Sequence, residues 1–475
     1  MIKPKQIEYA PVDASPVKSF FVHMLTRDIK LEEAILDLLD NCVDGILRSE
    51  SPAERTKSKP YDGYWAEIKF DKDTFLIADN CGGIPWRLHD YAFRMGRAPD
   101  RPADAPGTVG AYGIGMKRAI FKLGRRCLIS TQSGDNSYEV DIQPEWTDDE
   151  DEWKIPVHQS KKSMTKDGTT IVVGDLHPGI ASRFGQDGKS FKSELERMVA
   201  THYVFIIDKG FKVKINGDVV KPRATRLIFN KHLRGPKHEG IRPFMFTAKA
   251  DGVDVFLAVG FTRPIPTQDE IATEQEEKRY SSLDAGWTVV CNGRAVLYCD
   301  RTELTGWGEA GVPRYHTQFI AVSGIVEFSS DDASKLPTTT TKRGIDASSA
   351  LYLQVKNKMR EGMRMFTDYT NKWKLHPEES RKHIEAGRPL SLEELRAESK
   401  HLEFSPVMRS VPPGKQYKPE LPLPKKLEPH TRRITYIKPV AEVRMIADYL
   451  FNEADADPSQ VGETCFELIL KDARK

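Results

Sequence analysis

Asp37, Asn41 and Asp44 stand four and three residues apart in LEEAILDLLDNCVDGIL (31–47), so a helix carries them on one face. A neutral Asn oxygen suits Mg²⁺, which keeps waters and phosphate oxygens as its other ligands. A carboxylate beside it can orient or deprotonate an attacking water. An ordinary solvated helix face has the same pattern. In FLIADNCGGIP (75–85) an apolar run ends at Asp79, and Gly82 and Gly83 leave room for close approach to the backbone. A buried carboxylate there can accept a hydrogen bond from an exocyclic amine, though a plain Asx-Gly turn reads the same way. In GTVGAYGIGMKRAIFKLG (107–124), Gly107, Gly110, Gly113 and Gly115 precede a helix-like run that begins near Lys117. Backbone amides at such a start bind phosphate, and Lys117 adds a point charge. A flexible loop is the alternative. The spacing fits neither a Rossmann fingerprint nor a P-loop. DGTTIVVGDL (167–176) opens a strand whose Thr169 hydroxyl can bond a base or a water. LPTTTTKRGID (336–346) places Lys342 in a polar loop, where a lone lysine is ordinarily just solvated.

The elements that must position these groups follow from periodicity. Ile35, Leu38, Leu39, Cys42 and Ile46 give the 31–47 helix an apolar face. YWAEIKFDKDTFLIA (64–78) predicts two short strands around a turn at Asp71–Asp73, with further strands at 126–132, 137–143 and 169–175. RAPDRPADAPG (97–107) reads as a mobile loop, and the acidic run DDEDE (148–152) as a solvated one. Beyond about residue 185 come a helix at 189–207, the strand-like KVKING (212–217), and WTVVCNGRAVLYC (287–299), a strand pair around the hairpin dipeptide Asn292-Gly293. Residues 346–374 and 391–403 look helical. Residues 411–439 are rich in proline and read as an extended linker, followed by a small helical unit with Ser459 as a candidate cap.

The 475 residues suffice for two to four domains. The 71 Lys+Arg against 69 Asp+Glu, net +2, exclude a grossly basic chromatin-like protein but not a local basic groove. No apolar run has the length of a membrane span, and the N-terminal MIKPKQIEYAPVDASP has no apolar signal core. The six cysteines form no CxxC pair, so neither a zinc site nor a disulfide framework is expected. The expectation is a reduced, cytoplasmic, multidomain protein.

Taken in order, a helix bearing D-x-x-x-N-x-x-D, DNxGG after a strand, GxxGxG, and GTT on a strand resemble the GHKL ATPases with the Bergerat fold. That group includes gyrase B, MutL, MORC proteins, the large heat-shock chaperones and histidine kinases, and the resemblance covers about residues 20–180. KVKING, VCNGRAV (290–296), TTTTK (338–342) and GVPRYHTQFIAVSGIVEF (311–328) are similar to the second, transducer domain of the MutL, gyrase B and MORC members. Histidine kinases lack that domain, and no His-bearing dimerisation helix precedes the motifs.

The resemblance implies an α+β fold: a Bergerat α/β sandwich ATP-binding domain (1–185), an α/β transducer domain (186–346), a helical region (347–408), a Pro-rich linker (409–439) and a helical C-terminal unit (440–475). It implies ATP and Mg²⁺, with Asn41 binding the metal and Asp37 in the place of the general-base Glu. Asp44 matches the acid one turn later, Asp79 the adenine reader, and Gly83 the glycine against adenine. Gly110, Gly113 and Gly115 match the phosphate-cradling lid end, Thr169 the adenine network, and Lys342 the lysine on the γ-phosphate. The implied activity is slow ATP hydrolysis driving conformational switching and ATP-dependent homodimerisation, on DNA or a protein client and away from membranes. Two departures bear on this. Asp37 is one methylene shorter than Glu, so hydrolysis could be slow or need Asp40, and Cys81 stands where many members have Gly, with Gly82 beside it. The shorter acid keeps open a non-hydrolysing ATP sensor or scaffold. The basic stretch Lys415, Lys418, Lys425, Lys426, Arg432 and Arg433 keeps open an ATP-gated nucleic-acid clamp.

Overall fold

The computed structural model describes residues 17–96, 105–110, 113–162, 164–231, 240–277, 284–339, 342, 344–407, 412–424 and 434–474. It is a mixed α+β protein in which residues 1–424 form one compact unit and residues 425–475 another.

The first sheet is built from β1 (Trp65–Phe70), β2 (Phe75–Asp79), β3 (Gly124–Ser133), β4 (Asn136–Ile142), β5 (Val157–Gln159), β6 (Gly168–Leu176), β7 (Lys212–Ile215) and β8 (Asp218–Val219). Their order is β5-β4-β3-β6-β2-β1-β7-β8. All neighbours are antiparallel except β1 and β7. Alternation sets the register of β1 and β2: Ala66, Ile68 and Phe70 point into the core, and Ile68 pairs with Ile77. Asp71 closes the turn between them, its Oδ1 accepting the backbone N–H groups of Asp73 and Thr74, both at 2.8 Å. The helix α1 (Lys18–Arg27) and the longer α2 (Leu31–Ser49) cover the core.

α2 is buried on nearly every side, from Ala34, Ile35 and Leu36 through Asp37, Leu38, Leu39 and Asp40. Its polar stripe, from buried Asp37 through exposed Asn41 to half-buried Asp44, opens on a cavity rather than on an ordinary solvated face. The acidic run is also structural: Lys18, itself buried, donates to the carbonyls of Trp146, Asp149 and Glu152.

KVKING, expected in the second domain, is β7 and its turn. It lies parallel to β1, with Ile215 opposite Ile68, so the first sheet and its core run on to Val220 rather than ending at 185. The reason is burial: Val213 and Ile215 are inward residues that complete the layer under β1.

The remaining strands are β9 (Leu227–Phe229), β10 (Phe244–Ala250), β11 (Val253–Phe261), β12 (Gly286–Cys291), β13 (Arg294–Asp300), β14 (Val322–Ser330), β15 (Arg388–Leu390), β16 (Ser405–Val407) and β17 (Gly414–Tyr417). Seven of them form the second sheet, in the order β13-β12-β14-β11-β10-β17-β16, and β9 pairs with β15. Asn292 and Gly293 connect β12 to β13 with φ of 47° and 79°, the doubly positive backbone of a tight hairpin.

Residues 347–408 are not a separate helical region. Tyr352, Val355, Met359, Met363 and Phe366 of the helix Ala350–Trp373 are buried in the same core as β10, β11 and β14. Nor is all of 409–439 a linker. β17 pairs with β10, and Trp373 donates its indole N–H to the Pro422 carbonyl at 3.0 Å. GKQY is a proline-free window among the prolines, which leaves its N–H groups available to the ladder. Lys415 and Lys418 of the expected basic stretch belong to this folded segment, whereas Lys425, Lys426, Arg432 and Arg433 lie outside the described residues.

In the C-terminal unit, helices Val440–Phe451 and Pro458–Ala473 bury Ala447 and Val461 between them. Its second helix is capped by Asp457, whose side chain accepts the Ser459 N–H; Ser459 itself lies inside the helix, after Pro458. Among the described residues no helix is long and apolar enough to cross a membrane.

Candidate functional site

One cavity is lined by Asp37, Asn41, Asp44, Asp79, Gly83, Gly110, Gly113, Gly115, Lys117, Thr169 and Lys342, whereas Asp40, Gly82 and Gly107, also singled out in the sequence, do not line it. α2 contributes the first three, the end of β2 contributes Asp79, and the neighbouring β6 contributes Thr169. The helix α3 (Gly115–Leu123) begins on the cavity wall. Arg48, Arg87 and Arg118 also line it. Lining cations thus outnumber the carboxylates Asp37, Asp44 and Asp79, which suits an anionic ligand. Residues 97–104 and 111–112, next to the glycine-rich segment, lie outside the described residues.

At one end, the Asp79 carboxylate accepts the Cys81 N–H at 2.7 Å and the Cys42 thiol at 3.5 Å. Burial pushes its pKa up to about 6, against the pull of those hydrogen bonds. The Thr169 hydroxyl is bonded to Thr131 Oγ1 at 3.1 Å, and Thr131 also accepts the Ile84 N–H at 2.8 Å. Thr131 is thus a support that sequence reasoning did not single out. Gly83 lines the cavity and is also required by packing: a Cβ there would lie 2.0 Å from the Gln132 carbonyl oxygen. Asn80 pins the start of β1, accepting from Trp65 N–H at 2.7 Å and donating to the Gly63 carbonyl at 2.9 Å.

At the glycine end, Asp44 accepts the N–H groups of Val109 at 2.6 Å and Gly110 at 2.8 Å. These are amides of the expected phosphate cradle. Burial raises the Asp44 carboxyl to about 6. The Asn292 amide donates to the Thr108 carbonyl at 2.8 Å, so the hairpin tip of the second sheet braces the same segment. Lys117 is not aimed into open space, since its ammonium donates to the carbonyls of Ala92, at 2.8 Å, and Gly113. Its first task is to tie the loop to α3.

Asp37, in the general-base position, is ion-paired through Oδ2 with Arg118. That oxygen is taken by the ion pair and is not left for a water. Asp40 cannot assist either. It is fully buried, takes Arg294 Nη1 and Lys342 Nζ on Oδ2, both at 2.8 Å, and accepts Tyr203 Oη on Oδ1 at 2.5 Å. Burial alone would push its carboxyl up, but Arg294 and Lys342 outweigh burial and hold it below the ordinary value. Asn41 differs from these neighbours: it is exposed to the cavity and has no hydrogen-bond partner among the described residues. Its carbonyl is open for a ligand. No group of three or more His, Cys, Asp or Glu among the described residues is arranged to hold a metal. A cation here would draw its other ligands from water and from an anionic substrate.

Arg118, Arg294 and Tyr203 were not singled out in the sequence. Arg118 was within reach, because it lies one turn beyond Gly115, and a Cβ on Gly115 would sit 3.3 Å from the Asp37 Cβ. Arg294 and Tyr203 gave no local signal, since each meets Asp40 across more than 160 residues of sequence. The chain matches no protein-family model and no curated protein.

Proposed function

We propose that the chain is a Bergerat-fold ATP-binding protein of the GHKL kind, a slow ATPase whose nucleotide-driven closure works as a switch on DNA or a protein client, with two copies pairing when ATP is bound. The observation that carries this reading is the meeting of Asn41, Asp79, the glycine-rich segment and Lys342, from four stretches of sequence, around one cavity rich in cations. Asp79, an acceptor at the strand end, suits the amino group of adenine. The Lys342 ammonium suits the phosphates, beside a loop whose 109 and 110 amides are held by Asp44. Asn41 would hold Mg²⁺, which when bound neutralises phosphate charge and orients the chain of phosphates. The protein's own part is positioning: Asp44 fixes the loop, Asn292 braces it from the second sheet, and Asp37 sits where it can orient a water through the carboxylate oxygen that Arg118 leaves open.

The test is calorimetry with Mg·ATP together with phosphate release. Wild type is expected to bind and turn over slowly, and Asn41→Ala to lose binding by a factor of at least ten. Undiminished affinity in that variant would remove the reading. The Asp37–Arg118 ion pair favours a second reading, an ATP sensor that binds without hydrolysis. Binding with no phosphate release under saturating Mg·ATP would select it.

A further inference from the structure

Asp40 lines no part of the cavity, yet it holds a residue that does. Its carboxylate is shared by two cations of unlike standing. Arg294 comes from β13, its side chain is 1% exposed, and it does not reach the cavity wall. Lys342 is 12% exposed on its side chain and lines the cavity. The lysine lies at the glycine end, where its charge acts on Asp44, the residue that accepts the Gly110 amide. It stands at the tip of a short loop closed by the Thr338–Ile345 bridge, with its N–H donating to the Thr339 carbonyl at 2.9 Å and φ at 55°.

We propose that Asp40 and Arg294 are positioning residues that make Lys342 an exchangeable cation, so that the site discriminates for the longer polyphosphate. A polyanion reaching the glycine end competes with Asp40 for the ammonium. A buried carboxylate stripped of its only cation is strongly destabilised, which would oppose the exchange. Here Arg294 and the Tyr203 hydroxyl stay on Asp40 when Lys342 leaves, so the charge remains compensated. The same exchange releases one of the ties between α2 and the loop that follows β14, linking ligand length to the contact between α2 and the second sheet.

This rests on the nucleotide reading above, and the test separates the two. Affinities for ATP, ADP and adenosine are measured by calorimetry on the full chain, and the ratio of ATP to ADP affinity is the readout. In Arg294→Met the lysine is the one cation left on Asp40. The ratio is expected to fall about tenfold, while adenosine binding holds. Tyr203→Phe removes the hydroxyl that bonds both Asp40 and the Leu36 carbonyl but leaves every charge in place, and is expected to shift the ratio the same way by a smaller factor, which keeps the test alive if Arg294→Met fails to fold. The double variant Asp40→Asn with Arg294→Met removes the buried pair together, frees Lys342, and is expected to raise the ratio by a comparable factor. Arg294→Lys should restore most of the wild-type ratio. Equal shifts for ATP and ADP in these variants, or a rise in Arg294→Met, would overturn the proposal and leave the nucleotide reading standing. Failure of wild type to bind any of the three ligands would remove that reading and this inference with it.

Discussion

Asp79 and Asp44 face each other's problem: each is a carboxylate whose burial lifts its pKa to about 6. Since these folded values lie above the ordinary 3.8, the folded protein holds more protons than the unfolded chain in between. The stability this contributes is fully present below pH 3.8 and is lost as pH rises through about 6. Nucleotide binding runs the other way, because an amine donor needs the ionised Asp79. ATP affinity is therefore expected to fall severalfold between pH 7 and 5, with a midpoint near 6, while Asp79→Asn binds weakly at both ends; calorimetry across that range checks it. The thermal midpoint of the ligand-free protein should rise on the same acidification, and less so in Asp79→Asn. The Asp37–Arg118 pair makes a separate prediction. Its side chains are 2% and 10% exposed, so Arg118→Ala strands a buried charge and should cost about 3–5 kcal/mol. Asp37→Asn with Arg118→Met, which removes both charges, should recover most of it in denaturant unfolding. A single variant as stable as wild type would mean that water reaches Asp37 freely.

Elements were legible where one face decided them. The alternation in β1 and β2, the 3.6-residue period of α2 and the Asn292-Gly293 hairpin each carried its structure in a short window, and so did the spacing of Asp37, Asn41 and Asp44. What the window hid was the environment. α2 is buried well beyond its apolar stripe, so Asp40, which looked like a spare acid beside Asn41, is a fully buried residue that ties α2 to β13 and to the Lys342 loop. Composition misled at β17, where surrounding prolines mask four residues that can pair. Gly414 opens that strand with its missing Cβ only 2.4 Å from the Thr247 carbonyl and 2.7 Å from the Phe246 ring. Gly414→Val is expected to push the strand off β10 and destabilise the protein by about 1–3 kcal/mol. An unchanged thermal midpoint would show that β17 adds nothing to the sheet.

At the scale of the whole molecule, the division falls at Pro424 rather than at the start of the proline-rich stretch. Residues up to 424 share cores that run from α2 to the Ala350–Trp373 helix, with Leu421 packed on the second of them. The last unit is a helical hairpin whose Met445, Tyr449 and Ile469 are 71%, 84% and 69% exposed, so it adds little buried apolar surface. Among the described residues, cutting the chain after Pro424 therefore removes no strand and no core residue of the larger unit. Cutting it after Val407 removes β17, uncovers Phe246 and the edge of β10, and leaves the Trp373 indole N–H without the Pro422 carbonyl. The two truncations differ only by residues 408–424 and should behave differently. The longer one should keep the wild-type unfolding midpoint and nucleotide affinity. The shorter should unfold at a measurably lower midpoint, because it loses the β17 pairing and its packing. Equal midpoints for both would place the boundary before β17. A loss in the longer truncation would mean that the C-terminal hairpin stabilises the larger unit.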